Sequence, residues 1–376
     1  MDEFPVKYQG IIMMFAFLSI VTAMPAYAEA EFKVVPISSI PGIKIGHVTD
    51  LANGTGISVV IVENPNGAIC GVDVRGGSPG TRETDLLDPS KTVQTANAVV
   101  LSGGSAFGLA AADGVMEYLE GKKIGFDVGV TVVPIVPAAV LFDLGFGSAS
   151  VRPDKSMGYK AAENAFADVP WKDGNTGAGT GATVGKGTAA IGGLAMKGGL
   201  GSCAFKFGDL YVGAIVAVNA AGNVVDPTSG NIIAGAISKD GTFIDIEGWT
   251  MDSRYAPPKA VENTTIGIIV TNAELNQAQA KKLAEMAHDG YARAIRPTHT
   301  ASDGDTIFAL ALGGVESKSM IWKNVQVNMN LLGVLSVNAM QNAILNAASS
   351  AETLMGVQGA ASFNTVPKQP TKMSLR

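Results

Sequence analysis

The sequence is poor in charged residues and in the side chains that usually bind metals or carry redox chemistry. Charged residues make up 16% of the 376 residues, and the chain has two cysteines and three histidines. The histidines lack the spacing of metal ligands, so we predict no metal site, and His299, between two threonines, is interpreted as structural. Cys70 and Cys203 lie far apart in apolar surroundings, which favours buried free thiols over a disulfide.

Basic residues do not cluster anywhere along the chain. The formal net charge is -6 at pH 7, and no basic stripe offers a surface to a phosphate backbone. We therefore exclude nucleic acid as a partner. The hydrophobic content of 47% and the 46 glycines are instead typical of closely packed strands and helices, in one large or two ordinary domains.

The glycine-rich segment 174–187 does not form a nucleotide-binding motif. A Walker A motif ending around Lys186 needs glycine at position 180 and serine or threonine at position 187, where the chain has Thr180 and Gly187. The glycine spacing also departs from the dinucleotide fingerprint at its last step. The segment Gly103–Gly108 misses the nucleophile elbow of serine hydrolases by one residue. We predict neither a cofactor nor a serine triad.

The first 28 residues have the pattern of a secretory signal peptide. Lys7 supplies a positive flank, Ile11–Met24 is an apolar core, and Ala26-Tyr27-Ala28 fits a small-x-small cleavage site. An uncleaved membrane anchor is the alternative, but the apolar run is short for a span. We predict a periplasmic or secreted protein that has no membrane attachment once Met1–Ala28 is removed.

Hydrophobic periodicity predicts strands mixed with helices. Ile57–Glu63 and Gly67–Val74 resemble paired strands around a turn at Asn64–Gly67. A helix is predicted over Ser156–Ala167 with Ser156 as its N-cap. The apolar stretch Val128–Phe142 contains two prolines and is interpreted as buried strand and loop.

A junction at Asn263-Thr264-Thr265 joins a polar, proline-bearing stretch, Arg254–Glu262, to an apolar β-type run. A threonine at the first position of a buried strand is what an N-terminal-nucleophile hydrolase needs. If the chain is cut before Thr264, the new α-amine lies beside its own hydroxyl, and its reference pKa of roughly 8 lets it act as a base. A plain turn leading into a β-branched strand gives the same pattern.

Six short segments between about Ile40 and Ala351 carry a family resemblance. They are Asp73–Gly77, Leu101–Leu109, Arg152–Lys155, Gly177–Lys186, Asn263–Thr265 and Asp303–Thr306. In this order they resemble the self-processing aminopeptidase family that includes the L-aminopeptidase/D-esterase, the β-peptidyl aminopeptidases and the endo-acting nylon-oligomer hydrolase. The last two segments are most similar to the nylon-oligomer hydrolase branch. The resemblance implies an α+β fold, a four-layer αββα sandwich with the nucleophile on a central strand.

The resemblance also implies a role for each candidate site residue. Thr264 is the implied nucleophile, Asn219 a side-chain oxyanion donor, and Lys186 a cation that stabilises developing negative charge. Asp303 and Asp305 would orient the freed amine or the hydroxyl. Structural interpretations are equally available. Lys186 could be a surface lysine on a turn, Asn219 a turn residue, and Asp303 and Asp305 part of an Asp-Gly turn before a strand.

The predicted product of processing is a two-chain enzyme. A single catalytic domain, residues 29–376, is expected to cut itself between Asn263 and Thr264 into 29–263 and 264–376. The resemblance implies a homo-oligomer of processed protomers that hydrolyses short peptides, β-peptides or ω-amino-acid oligomers. Phe142 stands where the matched family segment often has tyrosine, so a phenol is absent from the predicted site.

Two other functions fit the same residues. An ornithine acetyltransferase uses the same fold and also cleaves itself at a threonine, so acyl transfer is one alternative. An exported binding protein that kept the fold without catalysis is the other. An acyltransferase would pass the acyl group to an added amine, whereas a hydrolase would pass it to water. An uncut precursor would favour the binding protein.

Overall fold

The computed structural model of the chain describes residues 32–252, 263–315, 328–363 and 365–370. The predicted signal segment Met1–Ala28 and the stretch Arg254–Glu262 before the junction lie outside the described residues.

Nineteen strands and five α-helices make up the described parts of the chain. The strands are β1 (Phe32–Val35), β2 (Ile43–Asp50), β3 (Thr55–Val62), β4 (Ala68–Val74), β5 (Thr81–Arg82), β6 (Thr95–Ala96), β7 (Ala98–Ser102), β8 (Phe126–Asp127), β9 (Val132–Val133), β10 (Ala138–Val140), β11 (Thr183–Val184), β12 (Met196–Lys197), β13 (Gly199–Phe207), β14 (Leu210–Asn219), β15 (Asn223–Val225), β16 (Ile232–Ala234), β17 (Thr264–Ala273), β18 (Ile295–Arg296) and β19 (Thr306–Val315). The helices are α1 (Ala111–Gly121), α2 (Lys155–Phe166), α3 (Ile246–Thr250), α4 (Gln277–Ala294) and α5 (Met329–Ser349).

Two large sheets form the middle of the molecule. One has the strand order β1-β13-β14-β17-β19-β4-β6, and the other has the order β2-β3-β7-β10-β5. Helices α4 and α5 pack on the outer face of the first sheet, and α1 and α2 pack on the second. Three separate apolar cores fill the spaces between these four layers. This arrangement is the predicted αββα sandwich, with β17 in the centre of the larger sheet.

The alternation of side chains along β17 determines which side of the sheet each residue faces. Ile266, Ile268 and Val270 belong to the core between the two sheets, whereas Ile269 belongs to the core beneath the helices. Because side chains alternate along a strand, Thr264 projects to the same face as Ile266, toward the second sheet.

Glycines allow the helices to lie directly against the strands. A Cβ added at Gly46 of β2 would come within 2.1 Å of the Ala161 carbonyl oxygen in α2, and one at Gly201 of β13 within 2.1 Å of the Ala343 carbonyl oxygen in α5. The high glycine content therefore reflects close packing of layers. By length and composition, helix α5 could cross a membrane. It packs against α4, β13 and β14, however, as part of a helical layer of the sandwich.

Three local predictions were wrong. The turn at Asn64–Gly67 is present, but β3 pairs with β2 and β7, while β4 pairs with β19 and β6, so the two strands belong to different sheets. Helix α2 is capped by the carboxylate of Asp154, which accepts from the Met157 amide, and not by Ser156.

The third wrong prediction concerns the segment Val128–Phe142, which is not buried throughout. Val128 and Val130 between β8 and β9 are exposed, and burial begins only near β10. Cys70 and Cys203 are buried free thiols, as predicted.

Candidate functional site

Thr264 and Asn219 lie side by side at one end of the larger sheet. The antiparallel register of β14 and β17 places Asn219 directly opposite Thr264, and side chains of directly opposed residues share one face of a sheet. Ile215 and Ala217 of β14 belong to the core between the sheets, so Asn219 projects there as Thr264 does. Both residues are buried.

The peptide bond before Thr264 is held by the turn that leads into β19. The Gly304 amide donates to the Asn263 carbonyl oxygen at 2.9 Å, and the Asn263 amide donates to the Ser302 carbonyl oxygen at 3.2 Å. The Thr264 hydroxyl also donates to the Asn263 carbonyl oxygen. A Cβ on Gly304 would lie 2.7 Å from Thr264 Oγ1, so only glycine fits against the hydroxyl.

Lys186 reaches the same site from the other side of Asn219. Its Nζ donates to the Asn219 carbonyl oxygen at 3.0 Å and to Asn219 Oδ1 at 2.9 Å. Burial lowers the pKa of Lys186 to about 7, although the charges of Asp303 and Asp143 act in the opposite direction. The group is therefore able to exchange a proton near neutral pH.

The amide of Asn219 has a fixed orientation. Its Oδ1 accepts from the Thr183 amide at 3.0 Å as well as from Lys186, and its Nδ2 donates to the Phe142 carbonyl oxygen at 3.1 Å. An NH₂ group has two hydrogens, and the second one has no acceptor among the described residues. Phe142 thus contributes its backbone carbonyl to the site.

Asp303 and Asp305 have different surroundings although only Gly304 separates them. Asp305 accepts four hydrogen bonds, from the Thr265 amide on Oδ1 and from Thr298 and His299 on Oδ2. Asp303 accepts from the Thr300 amide at 2.7 Å. Burial and the Asp305 carboxylate raise the pKa of Asp303 to about 6, against smaller effects of the Thr300 hydrogen bond and of Lys186. Asp303 can therefore take up or release a proton near pH 6.

A family model for peptidase family S58 matches residues 36–362. This chain belongs to peptidase family S58. A protein of Mycobacterium leprae named an uncharacterized aminopeptidase is 40% identical over 339 residues, covering 85% of this chain and 92% of the relative. The 6-aminohexanoate-oligomer endohydrolase of Kocuria sp. is 29% identical over 340 residues, covering 85% of this chain and 90% of that enzyme. The protein is accordingly an amide-bond hydrolase.

Solved structures confirm the fold of this S58 peptidase. The L-aminopeptidase D-Ala-esterase/amidase of Ochrobactrum anthropi, described as a variant of the Ntn hydrolase fold, has a TM-score of 0.63 at 19% identity and covers 86% of this chain and 90% of its own. A Burkholderia sp. β-aminopeptidase has a TM-score of 0.61 at 19% identity, covering 89% of this chain and 93% of its own. The predicted N-terminal-nucleophile-like sandwich is thus confirmed.

The glycines of the Arg75–Gly80 segment allow its backbone to lie directly against the turn that carries Asp303 and Asp305. The Ser78 amide donates to the Asp303 carbonyl oxygen at 2.8 Å, and the Arg75 amide donates to the Asp305 carbonyl oxygen at 2.9 Å. A Cβ on Gly76 would lie 2.2 Å from the Asp303 carbonyl oxygen. The sequence pattern Asp73–Gly77 carries part of the family resemblance, and this close backbone contact is the physical reason for its glycines.

Sequence reasoning missed a second buried lysine close to this site. Lys197 is completely buried and donates to the carbonyl oxygens of Thr180 and Ala182 at 2.7 and 2.6 Å. Asp143, also buried, accepts from Thr55 and from the Gly104 amide. Lys197, like Lys186, is a charged residue inside a glycine-rich apolar stretch, and this pattern could have predicted that it is buried.

All five predicted site residues lie around one point of the sandwich: Thr264, Lys186, Asn219, Asp303 and Asp305. They come from four chain segments that are separate in sequence: β14, β17 and the turn before β19 meet because these strands are neighbours in one sheet, and Lys186 joins them through its hydrogen bonds to Asn219. Among the described residues, no group of three or more His, Cys, Asp or Glu is arranged to hold a metal ion.

Proposed function

We propose that this S58 peptidase is a self-processing hydrolase whose nucleophile is the hydroxyl of Thr264. The observation that carries the proposal is the hydrogen bond from the Thr264 hydroxyl to the Asn263 carbonyl oxygen, within a site that also holds Lys186 and Asn219. A hydroxyl held against the preceding carbonyl is the arrangement that an N-to-O acyl shift requires.

Self-cleavage begins when Thr264 Oγ1 attacks the carbonyl carbon of Asn263. The amide of Gly304 stabilises the oxyanion that forms, because it already donates to that oxygen at 2.9 Å. Asp303, with its pKa raised to about 6, accepts the hydroxyl proton. The C–N bond then breaks, the proton passes to the Thr264 nitrogen, and water hydrolyses the ester between Asn263 and Thr264. The products end at Asn263 and begin at Thr264.

Turnover then uses the same hydroxyl with a new base. The freed α-amine of Thr264 takes the hydroxyl proton as Oγ1 attacks a substrate amide, and the leaving amine receives that proton. Asn219 Nδ2 and Lys186 stabilise the oxyanion, and a water molecule releases the acyl group from Thr264. Asp303 and Asp305 orient the amine.

Short peptides, β-peptides and ω-amino-acid oligomers are the proposed substrates. The 6-aminohexanoate-oligomer endohydrolases among the relatives support the last class, and the relatives named aminopeptidases support the first. If the acyl group goes to water even when an amine is added, the enzyme is a hydrolase. Transfer of the acyl group to the amine would instead favour the acyltransferase alternative.

The proposed enzyme is exported and assembles from several processed protomers. Met1–Ala28 supports export, and the first residue of the mature protein should then be Glu29. Strand β1 is at the edge of the larger sheet with Phe32 and Val34 exposed, which supports pairing with a second copy. Intact mass and light scattering of protein from the native host would test both points.

The decisive experiment compares wild type with Thr264→Ala and Thr264→Ser. Wild type should give two bands on a denaturing gel, the smaller with the N-terminal sequence Thr-Thr-Ile-Gly. Thr264→Ala lacks the attacking oxygen, so it should stay uncut and hydrolyse neither an amino-acyl p-nitroanilide nor a 6-aminohexanoate oligomer. Thr264→Ser keeps a hydroxyl and should do both. An active Thr264→Ala protein would exclude this nucleophile and the processing scheme with it.

A further inference from the structure

His299 contacts the carboxylate that lies next to the candidate nucleophile. Its ring Nδ1 is 2.8 Å from Asp305 Oδ2, and its own backbone amide and the Thr298 hydroxyl each reach the same oxygen at 3.0 Å. The other oxygen of Asp305 accepts from the amide of Thr265 at 2.7 Å. Asp305 therefore connects the His299 ring to the backbone of the residue that follows Thr264.

The surroundings of the ring determine where its proton is. Nδ1 faces a carboxylate oxygen, so it must be the donor. Nε2 of His299 is buried and has no hydrogen-bond partner among the described residues. A proton there would leave a buried donor unsatisfied, which costs free energy, whereas a bare lone pair costs less. The hydrogen bonds therefore place the proton of the ring on Nδ1.

Two rings of helix α4 hold His299 in place. The rings of His288 and Tyr291 have centroids 4.8 and 5.8 Å from that of His299. His288 is fully buried, and its Nε2 donates to the Asp73 carbonyl oxygen at 3.1 Å. The backbone of His299 has a φ of +56°, a left-handed conformation that is uncommon for a residue with a side chain.

We propose that His299 is a positioning residue for amide hydrolysis and acts through Asp305. The Nδ1–H bond fixes the carboxylate, and the fixed carboxylate holds the start of β17, where Thr264 lies. This role rests on the proposed function of Thr264. It differs from a packing role because it depends on one hydrogen-bond donor and not on the volume of the ring.

Loss of that donor should also change the proton affinity of the neighbouring carboxyl. The charge of Asp305 raises the pKa of Asp303, so an Asp305 that moves away from its place would raise it less. The acidic limb of the pH–activity profile should then shift to lower pH. The other titratable groups around these carboxylates and the two histidines are Lys186, Tyr291, Asp73 and Arg75.

A matched pair of substitutions separates the donor from the backbone conformation. Glycine and asparagine both accept a positive φ, but only asparagine can place an N–H near the position of Nδ1. His299→Gly should lower kcat/KM about 100-fold, mostly through kcat, since misplacement of a catalytic group by about 1 Å costs that much. His299→Asn should retain most of the wild-type kcat/KM and its acidic limb. His47 is a half-buried histidine whose Nδ1 bonds Ser58 in the other sheet, so the control His47→Asn should behave as wild type.

The measurements are self-cleavage on a gel, kcat and KM from pH 5 to 9, and the melting temperature. If His299→Gly folds but cuts itself more slowly than wild type, the lower rate of self-cleavage supports the role in the same way as a lower kcat. Equal damage in His299→Asn and His299→Gly would overturn the role in favour of ring packing, and wild-type kinetics in His299→Gly would overturn it outright. Wild type that hydrolyses nothing would overturn the proposed function together with this role.

A measurement on wild type alone does not depend on whether the variants fold. The chain has three histidines, so ¹⁵N labelling of histidine gives a simple spectrum. The Nδ1 signal of His299 should show a bound proton that is hydrogen-bonded. An Nε2–H tautomer at His299 would contradict the hydrogen bond to Asp305, and the role with it.

Discussion

Two lysines, the half-buried Lys186 and the fully buried Lys197, have similar pKa values but different surroundings. Burial lowers the pKa of each to about 7. Lys197 donates to two backbone carbonyl oxygens, and its Nζ lies 4.3 Å from the centroid of the Phe146 ring. Lys186 donates only to Asn219 among the described residues, and Asn219 is the strand partner of Thr264.

The difference shows that a shifted pKa does not by itself identify a functional residue. An ammonium group has three N–H donors. At Lys197 two of them bond carbonyl oxygens and the aromatic face covers the group, so Lys197 stabilises the chain that leads to Lys186. At Lys186 both bonds go to Asn219, the strand partner of Thr264, so the ammonium group lies in the site where negative charge develops in the proposed reaction. Geometry relative to the proposed nucleophile separates the two roles.

The largest expected effect is on turnover, measured with Lys186→Met and Lys197→Met side by side. Lys186→Met removes a charge from the oxyanion site and should lower kcat about 100-fold, the scale of losing one electrostatic contributor in a dry site. Lys197→Met should keep kcat within a few-fold of wild type, because that lysine does not reach the reacting atoms. Initial rates on an amino-acyl p-nitroanilide measure kcat for both variants. Equal losses of kcat would show that the two lysines do not differ in their roles.

The next effect is on stability, and it should belong mainly to Lys197. Lys197→Met leaves the carbonyl oxygens of Thr180 and Ala182 without their donor, and each unsatisfied buried group costs about 1–3 kcal/mol. We expect a loss of about 2 kcal/mol in the free energy of unfolding at pH 10. Urea unfolding in the uncut Thr264→Ala background, where a single chain unfolds, measures it.

The stability loss in Lys197→Met should shrink as the pH falls. The folded-state pKa of Lys197 is about 7, against a reference value of 10.5. Between these values the unfolded chain binds the extra proton, so wild type gains stability as pH rises, by up to about 1.4 kcal/mol per pH unit. The variant lacks this dependence. A stability difference that stays constant from pH 8 to pH 10 would show that Lys197 is not desolvated.

The smallest effect concerns the acidic limb of activity. In the proposed turnover Asp303 must be ionised to orient the freed amine of Thr264, and its pKa is about 6, so kcat/KM should fall as pH drops through 6. The charge of Lys186 lowers that pKa. In Lys186→Met the limb should therefore move to higher pH by a fraction of a unit, while in Lys197→Met it should stay. A full pH profile of both variants and wild type decides this.

Local pattern predicted the strands and helices well where one face of an element is apolar. Strong apolar periodicity predicts helices over Leu275–Ala294 and Leu331–Ala348 and strands over Thr264–Thr271 and Thr306–Leu312. The bounds of α4, α5, β17 and β19 agree with these to within three residues. The pairing of β3 with β4 failed because a turn between two apolar runs does not reveal whether the second run returns to the same sheet. The five site residues were predicted through their resemblance to a family, since each has an ordinary structural interpretation when taken alone.

The sequence by itself determined the chemistry available and the face on which it projects. The alternation of Thr264, Ile266 and Ile268 directs the hydroxyl toward the core between the sheets, and glycine at position 304 leaves room beside it. Only the tertiary structure decided the electrostatics, because pKa shifts and tautomers depend on which groups from distant segments share one buried space. Asp303 and His299 lie in the segment that leads into β19, and Lys186 bonds Asn219 at the end of β14. The three residues meet at one end of the sheet because β14, β17 and β19 are neighbours there.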